Sequence, residues 1–446
     1  MPTDARRGVP ALNHLLPMMV AGCLLVAAAS AQVSSLYYRE VPRGGTVYVF
    51  NTAGRYHSFV ASGEMGPAIT VTGRGPRGET IVAENQTALD LYLFKHDLPA
   101  YERSASPATP TPTAEFPRVR IGSTGFLSYQ SGKSAGADYS KFIVKRAYLN
   151  VTAQINPYLA ARITPDVAQD ATTGETKVRM KFVYATFSLP SLGFITKPCV
   201  SFGMVPTPWF DFENRVNLYR MQDQLFFDRV GLLSTADLGL AVGGLFGGEM
   251  PDEFRKTVSS AFPGRYGSFA VGLFNGGGYT ASEQNGNKAL EGRVSIRPLP
   301  DAAPGLQLSY TGVAGKGNTL AEPEWTLSSV AVSFQSIWAN MEAILLRGRG
   351  NAAGNANDAH GTALDRDGWS GFVEAKPCKR WSVIARYDAF TPDRTKPAIQ
   401  TRRTIAGIAY HLGNSNDVLV DYDTLRYTHS TKPDDKRAQL TLQYNF

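Results

Sequence analysis

The 446-residue chain carries a formal charge of +7, from 45 basic and 38 acidic residues, an excess too slight to mark a nucleic-acid binder. Apolar residues at 43% and charged residues at 19% exclude a disordered chain. Beyond the N-terminus no apolar run approaches the roughly 20 residues that a membrane helix needs, whereas Gly 43, Tyr 20 and Phe 23 suit many strands, tight turns and aromatic girdles.

Residues 1–31 read as a signal peptide. Arg6 and Arg7 precede an apolar core from 15 to 29, and Ala29-Ser30-Ala31 offers a small-residue cleavage site. Cys23 lies inside this segment, not just after the apolar run as a lipoprotein would require. Residues 32–103 predict a small periplasmic α/β domain. A strand at 45–50 leads to Asn51 and Thr52, which cap a helix over 53–62 stopped by Gly63. Strands at 69–72 and 79–83 flank the turn-rich 73–78, and Asn85 caps a second helix over 86–96. The order is β-α-β-β-α. Residues 104–116 form a Pro/Thr/Ser linker stiffened toward polyproline geometry.

From 117 to 446 the pattern is strand, turn, strand, loop. The last ten residues show it best. Ala438, Leu440, Leu442, Tyr444 and Phe446 share one parity, and Arg437, Gln439, Thr441, Gln443 and Asn445 the other. About sixteen such segments alternate with spacers. Short ones fall at 155–157, 335–336, 377–380 and 413–417, and long ones at 207–236, 275–288 and 347–367. Short periplasmic turns and long outer loops are the signature of an all-β transmembrane barrel of antiparallel strands. One spacer, 247–265, is long on the periplasmic side. The barrel should close by pairing its last strand with 119–129.

Enzyme chemistry finds little support. The histidines (His14, His57, His96, His360, His411, His429) lack metal spacing, there is no Gly-x-Ser-x-Gly elbow, and no Ser/His pair assembles on one face. Gly132-Lys133-Ser134 lacks the upstream glycine of a phosphate loop. Asn351, Asn355, Asn357 and Asp358 suggest a solvated loop sooner than a calcium site. No cofactor or metal is expected. Cys199 and Cys378, after export, are permitted a disulfide, although scattered turn cysteines are more often unpaired.

Transport is better supported, because the lumenal parity carries charge. Arg118, Arg120, Arg146, Arg162, Asp166, Glu291, Arg293, Arg386 and Asp388 fall on it, as do Glu374, Asp421 and Asp423. Lys145 falls on the lipid parity, tolerable only near an interface. The third long loop, 207–236, holds Trp209, Phe210, Phe212, Phe226 and Phe227, too many aromatics for a loop in solvent. Folded inward, it would present Glu213, Arg215, Arg220, Asp228 and Arg229 to the pore.

Three stretches make the resemblance specific: 142–151 (FIVKRAYLNV), 201–209 (SFGMVPTPW) and 228–231 (DRVG). With Phe274-Asn275-Gly276 and the closing strand, they resemble the phosphate-selective porin O and P family over roughly 118–446. That resemblance implies a sixteen-stranded homotrimeric barrel in the outer membrane of a Gram-negative-type bacterium, with an inward-folded third loop, conducting small anions. The chain departs from the family at that loop. Arg215, Arg220 and Arg229 there face Asp211, Glu213, Asp223 and Asp228, so phosphate specificity does not follow. The expectation is a porin for small polar solutes and ions with a mild anion preference. The competing class is a structural barrel whose domain 32–103 docks cell wall or a periplasmic partner.

Overall fold

The computed structural model describes residues 37–99, 116–169 and 174–446. The expected signal peptide and nearly all of the 104–116 linker lie outside these residues. The chain divides into two compact units, one through Ala114 and one from Glu115.

The first unit runs β1 (Arg39–Arg43), β2 (Thr46–Phe50), α1 (Ala53–Ser62), β3 (Ile69–Val71), β4 (Thr80–Ala83) and α2 (Gln86–Lys95). Its sheet order is β1-β2-β4-β3, with β2 and β4 parallel. Val49, Ile81, Ala83, Leu89 and Tyr92 are almost fully buried between sheet and helix. Asn85 Oδ1 accepts the Ala88 N–H at 2.9 Å, the expected cap, and Gly63 stops α1 at φ +73°. β1 is an addition to the expected order. Its sequence, REVPR, has no alternation, and its proline is tolerated because the strand lies at the sheet edge.

The second unit is a closed barrel of sixteen strands, each antiparallel to its neighbours. They are β5 (Arg118–Ser134), β6 (Ala137–Gln154), β7 (Leu159–Gln169), β8 (Thr176–Ser188), β9 (Ile195–Pro206), β10 (Ala236–Phe246), β11 (Gly267–Phe274) and β12 (Ala289–Ile296). The circuit continues with β13 (Leu306–Lys316), β14 (Glu324–Gln335), β15 (Ala339–Arg349), β16 (Asp365–Cys378), β17 (Trp381–Thr391), β18 (Thr401–Gly413), β19 (Asn416–Tyr427) and β20 (Asp435–Asn445). Closure is by β20 on β5, with Leu440 opposite Tyr129 and Leu442 opposite Leu127. Alternation assigns the faces: Gln439 and Thr441 are fully buried toward the lumen, while Leu442 is exposed on the outer surface. The spacer 247–265 holds a short helix, Asp252–Thr257.

Among the described residues the barrel ladder shifts register at five places, and two of these β-bulges redirect a lysine. Opposite the Phe126/Leu127 step, Arg146 and Val144 are the paired residues, so Lys145 is the extra one. Its Nζ donates to the Met221 carbonyl at 2.6 Å and to Gln439 Oε1 at 3.0 Å, both inside the barrel. The expectation that Lys145 faces lipid is therefore corrected. Likewise Thr164 pairs with Phe182 and Pro165 with Met180, leaving Lys181 as the bulged residue, turned inward and buried. A proline, which cannot donate to the ladder, sits where the ladder is already interrupted. Cys199 and Cys378 are both free thiols.

Candidate functional site: the third loop and the cavity beside it

The loop between β9 and β10 carries two short helices, α3 (Pro208–Val216) and α4 (Phe226–Arg229). Pro208 suits the first turn of α3, where its missing N–H costs nothing. The helix turns Trp209, Phe210, Phe212 and Val216 onto a cluster shared with Leu225, Phe226 and Phe227 and with wall residues Trp325, Leu327, Ile344 and Leu346. The loop thus lies inside the barrel, against β14 and β15, whose lumenal face is apolar where it lands. Val330, Val332 and Leu345 make their outer face apolar too. These two strands are hydrophobic on both sides because lipid-type surface and a docked loop flank them.

Polar contacts hold the remainder across the lumen. Tyr219 donates to Glu374 Oε1 at 2.6 Å, Gln439 Nε2 to the Gln222 carbonyl at 2.7 Å, and Arg386 Nη1 to the Gln224 carbonyl at 2.8 Å. Asp223 pairs with Arg403 and, at 3.3 Å, with Arg437; Asp423 bridges the same two arginines. Arg229 reaches Asp388 at 2.7 Å. Asp223, Arg229, Arg403 and Arg437 thus each have an opposite neighbour, as a low-dielectric interior favours.

A cavity of about 580 Å³ lies on the other side of the loop, against β5–β9 and β16–β20. Its lining holds five cations (Arg162, Lys181, Arg215, Arg220 and Lys376), one histidine (His411) and three carboxylates (Asp211, Glu374 and Asp417). Arg162 stacks over Phe182 at 4.5 Å and donates to the neutral Asn150 and Thr164. Lys181 Nζ lies 4.9 Å from the Tyr148 ring centre. A second cavity of about 430 Å³, near the ends of β5, β18 and β20 that carry Lys133, Thr401 and Lys436, is lined by Asp223, Arg229, Arg403 and Arg437.

The sequence-predicted residues divide accordingly. Arg162, Arg215 and Arg220 line the larger cavity. Arg146 pairs with the buried Asp166 at 2.9 Å, which Arg179 shares at 3.2 Å. Asp228 sits 3.7 Å from Arg220. Arg120 is exposed on β5 opposite Thr152 and does not line the cavity. Three expectations of pore lining need correction, because the loop itself covers them. Arg293 is 1% exposed, clamped by Ser268 and Ser295 beneath Phe212 and Phe262. Glu213 is 2% exposed and accepts the Trp209 indole N–H at 2.7 Å. Arg386 is 3% exposed between Asp388 and the loop backbone. Parity placed them on the lumenal face correctly, but not what lies on that face.

The sequence reading missed Lys181, Lys376 and the Asp223–Arg403–Arg437 latch. Bulges hid the first, and nothing local in sequence joins residues 180 apart. It also found no Ser/His pair, yet register supplies one: Ser382 Oγ lies 2.8 Å from His411 Nε2, and His411 Nδ1 lies 2.6 Å from Asp417. Ser382 is 0% exposed and its hydroxyl also reaches Glu374 at 2.8 Å, so a substrate carbonyl has no access to it. Asn351 and Asn355 hydrogen-bond each other, and Asn357 Nδ2 donates to the Gly354 carbonyl.

The barrel matches solved porins in fold. An anion-selective porin from Comamonas acidovorans superposes with a TM-score of 0.51 at 10% identity, covering 74% of this chain and 100% of that one. OmpF of Salmonella typhi, solved in complex with daunomycin, gives 0.51 at 12% identity, covering 74% and 97%. No family model and no curated relative matches the sequence. The fold is therefore that of a porin-like, sixteen-stranded closed β-barrel. To this the chain adds a small N-terminal α/β unit.

Proposed function

We propose that the protein is an outer-membrane porin through which small polar solutes and ions diffuse passively, with a mild preference for anions. The observation that carries this reading is the lumen on the β5–β9 side of the loop, where five cations face three carboxylates around one cavity of about 580 Å³. Such an excess raises local anion concentration where the walls are of low dielectric. The third loop narrows the passage and sets size exclusion. The burial of Ser382 argues against hydrolysis, and the barrel is read as a channel, not an enzyme. The resemblance to phosphate-selective porins agrees with the sign of the preference; the near-neutral loop argues against phosphate specificity. A homotrimer, with the N-terminal unit in the periplasm and free to meet cell wall or a periplasmic partner, completes the proposal. Planar-bilayer recordings test it. The expected result is an ohmic, water-filled conductance whose reversal potential in a salt gradient favours chloride over potassium; a folded protein that conducts no ions overturns it.

A further inference from the structure

We propose that the 580 Å³ cavity is a binding site for small aromatic carboxylates, an inference that rests on the porin reading for its access route. Its volume is in the range of small-molecule sites. Three features narrow the ligand's chemistry.

The first is unspent positive charge. Among the described residues, Arg215 has no carboxylate within ion-pair distance, although Asp211 lies one helical turn away. Arg220 reaches only Asp228, at 3.7 Å, and its Nη1 is buried without a hydrogen-bond partner. Arg162 bonds to neutral oxygens alone.

The second is that two of the cavity's three carboxylates are already engaged with the wall. Glu374 accepts from Tyr219, Ser382 and Asn340 at 2.6–2.8 Å. Asp417 is held by His411 at 2.6 Å and by Gln443 at 3.2 Å. Asp211, the third, faces Arg215 one turn along its helix, so five cations stand against three carboxylates and the cavity keeps a net positive charge and free donors for whatever enters.

The third is an apolar surface on the same lining. Leu218 is 50% exposed, and Tyr148 and Phe182 are half-buried. A hydrated inorganic anion gains nothing from these side chains and is penalised by losing water beside them. A planar ring gains from stacking on Phe182 and covering Leu218, while its carboxylate forks onto a guanidinium. Arg162 lies over Phe182, 4.5 Å from its ring centre, so the ligand's ring packs on the rest of that side chain and on Leu218.

The test uses the full chain, folded in detergent, with titration calorimetry for benzoate, its neutral isostere benzamide, and inorganic phosphate. Benzoate should bind about tenfold more tightly than either, and Arg215→Gln or Arg220→Gln should weaken it by about tenfold, the worth of one charge-assisted hydrogen bond. Equal affinity for benzamide, or phosphate binding as tightly as benzoate, overturns the proposal. Potassium chloride conductance of the same sample separates the two readings. A conducting protein that ignores benzoate refutes the site alone. A protein that binds benzoate but does not conduct refutes the porin and leaves the site.

Discussion

Arg215→Gln isolates the electrostatic part of the proposed selectivity. Arg215 is exposed and lines the cavity, and its backbone carbonyl, not its side chain, anchors the loop by accepting Gln335 Nε2 at 2.8 Å. The loop should therefore stay docked. One unit charge about 7 Å from a passing ion contributes ~0.6 kcal/mol in water before screening. At 0.1 M salt, with a Debye length of ~10 Å, about half survives, ~0.3 kcal/mol. That favours anions and disfavours cations by ~1.6-fold each, so the substitution should lower the chloride-to-potassium permeability ratio by ~2.5-fold. At 1 M salt, with screening over ~3 Å, the effect should almost vanish. Reversal potentials under a tenfold gradient at low and high mean salt measure both. An unchanged ratio at low salt, or a change of the same size at 1 M, would refute the reasoning.

Three further outcomes follow from other contacts. Phe227 is fully buried against Trp209, with ring centres 5.6 Å apart; Phe227→Ala should cost about 3 kcal/mol or more of loop docking and raise single-channel conductance and noise, with the barrel still heat-modifiable on gels. Deleting residues 32–103 should leave conductance intact, since β20 closes on β5 without them; loss of conductance in a folded barrel would contradict this. In the N-terminal unit, burial alone would raise the Glu40 carboxyl, but hydrogen bonds from Tyr38, Lys95 and His96 overcome it and hold its pKa below the ordinary value. A depressed carboxylate stabilises above its unfolded pKa and loses that contribution as pH falls through the folded one. Glu40→Gln should therefore raise protease susceptibility of this unit at pH 7, by under ~1 kcal/mol given solvent screening, and the difference should shrink as pH falls below the ordinary carboxylate range. An effect that does not change with pH would assign Glu40 a packing role instead.

Much of the barrel was legible in the sequence because a period of two has a direct physical cause. Successive side chains on a strand point to opposite faces, and here one face is apolar and outward while the other is polar and lumenal, as Leu442 and Thr441 show. The alternation of short and long spacers placed the third loop, and its aromatics announced that it docks on something. The small domain's helices were readable from Asn85 and Gly63, since caps act within one turn.

What parity could not supply was anything decided between strands or across the lumen. A bulge turns on whether one ladder step is skipped, so Lys145 and Lys181 moved inward against the local pattern. Burial of Arg293, Glu213 and Arg386 depended on where α3 landed, a choice made by Trp325, Leu327, Ile344 and Leu346 more than a hundred residues away. The Ser382–His411–Asp417 chain and the Asp223 latch exist only through register and loop path. The sequence by itself determined that a sixteen-stranded barrel with an inward loop would form, because alternation and spacer length are local. Tertiary structure decided which charges remain facing water, because that depends on what packs over them.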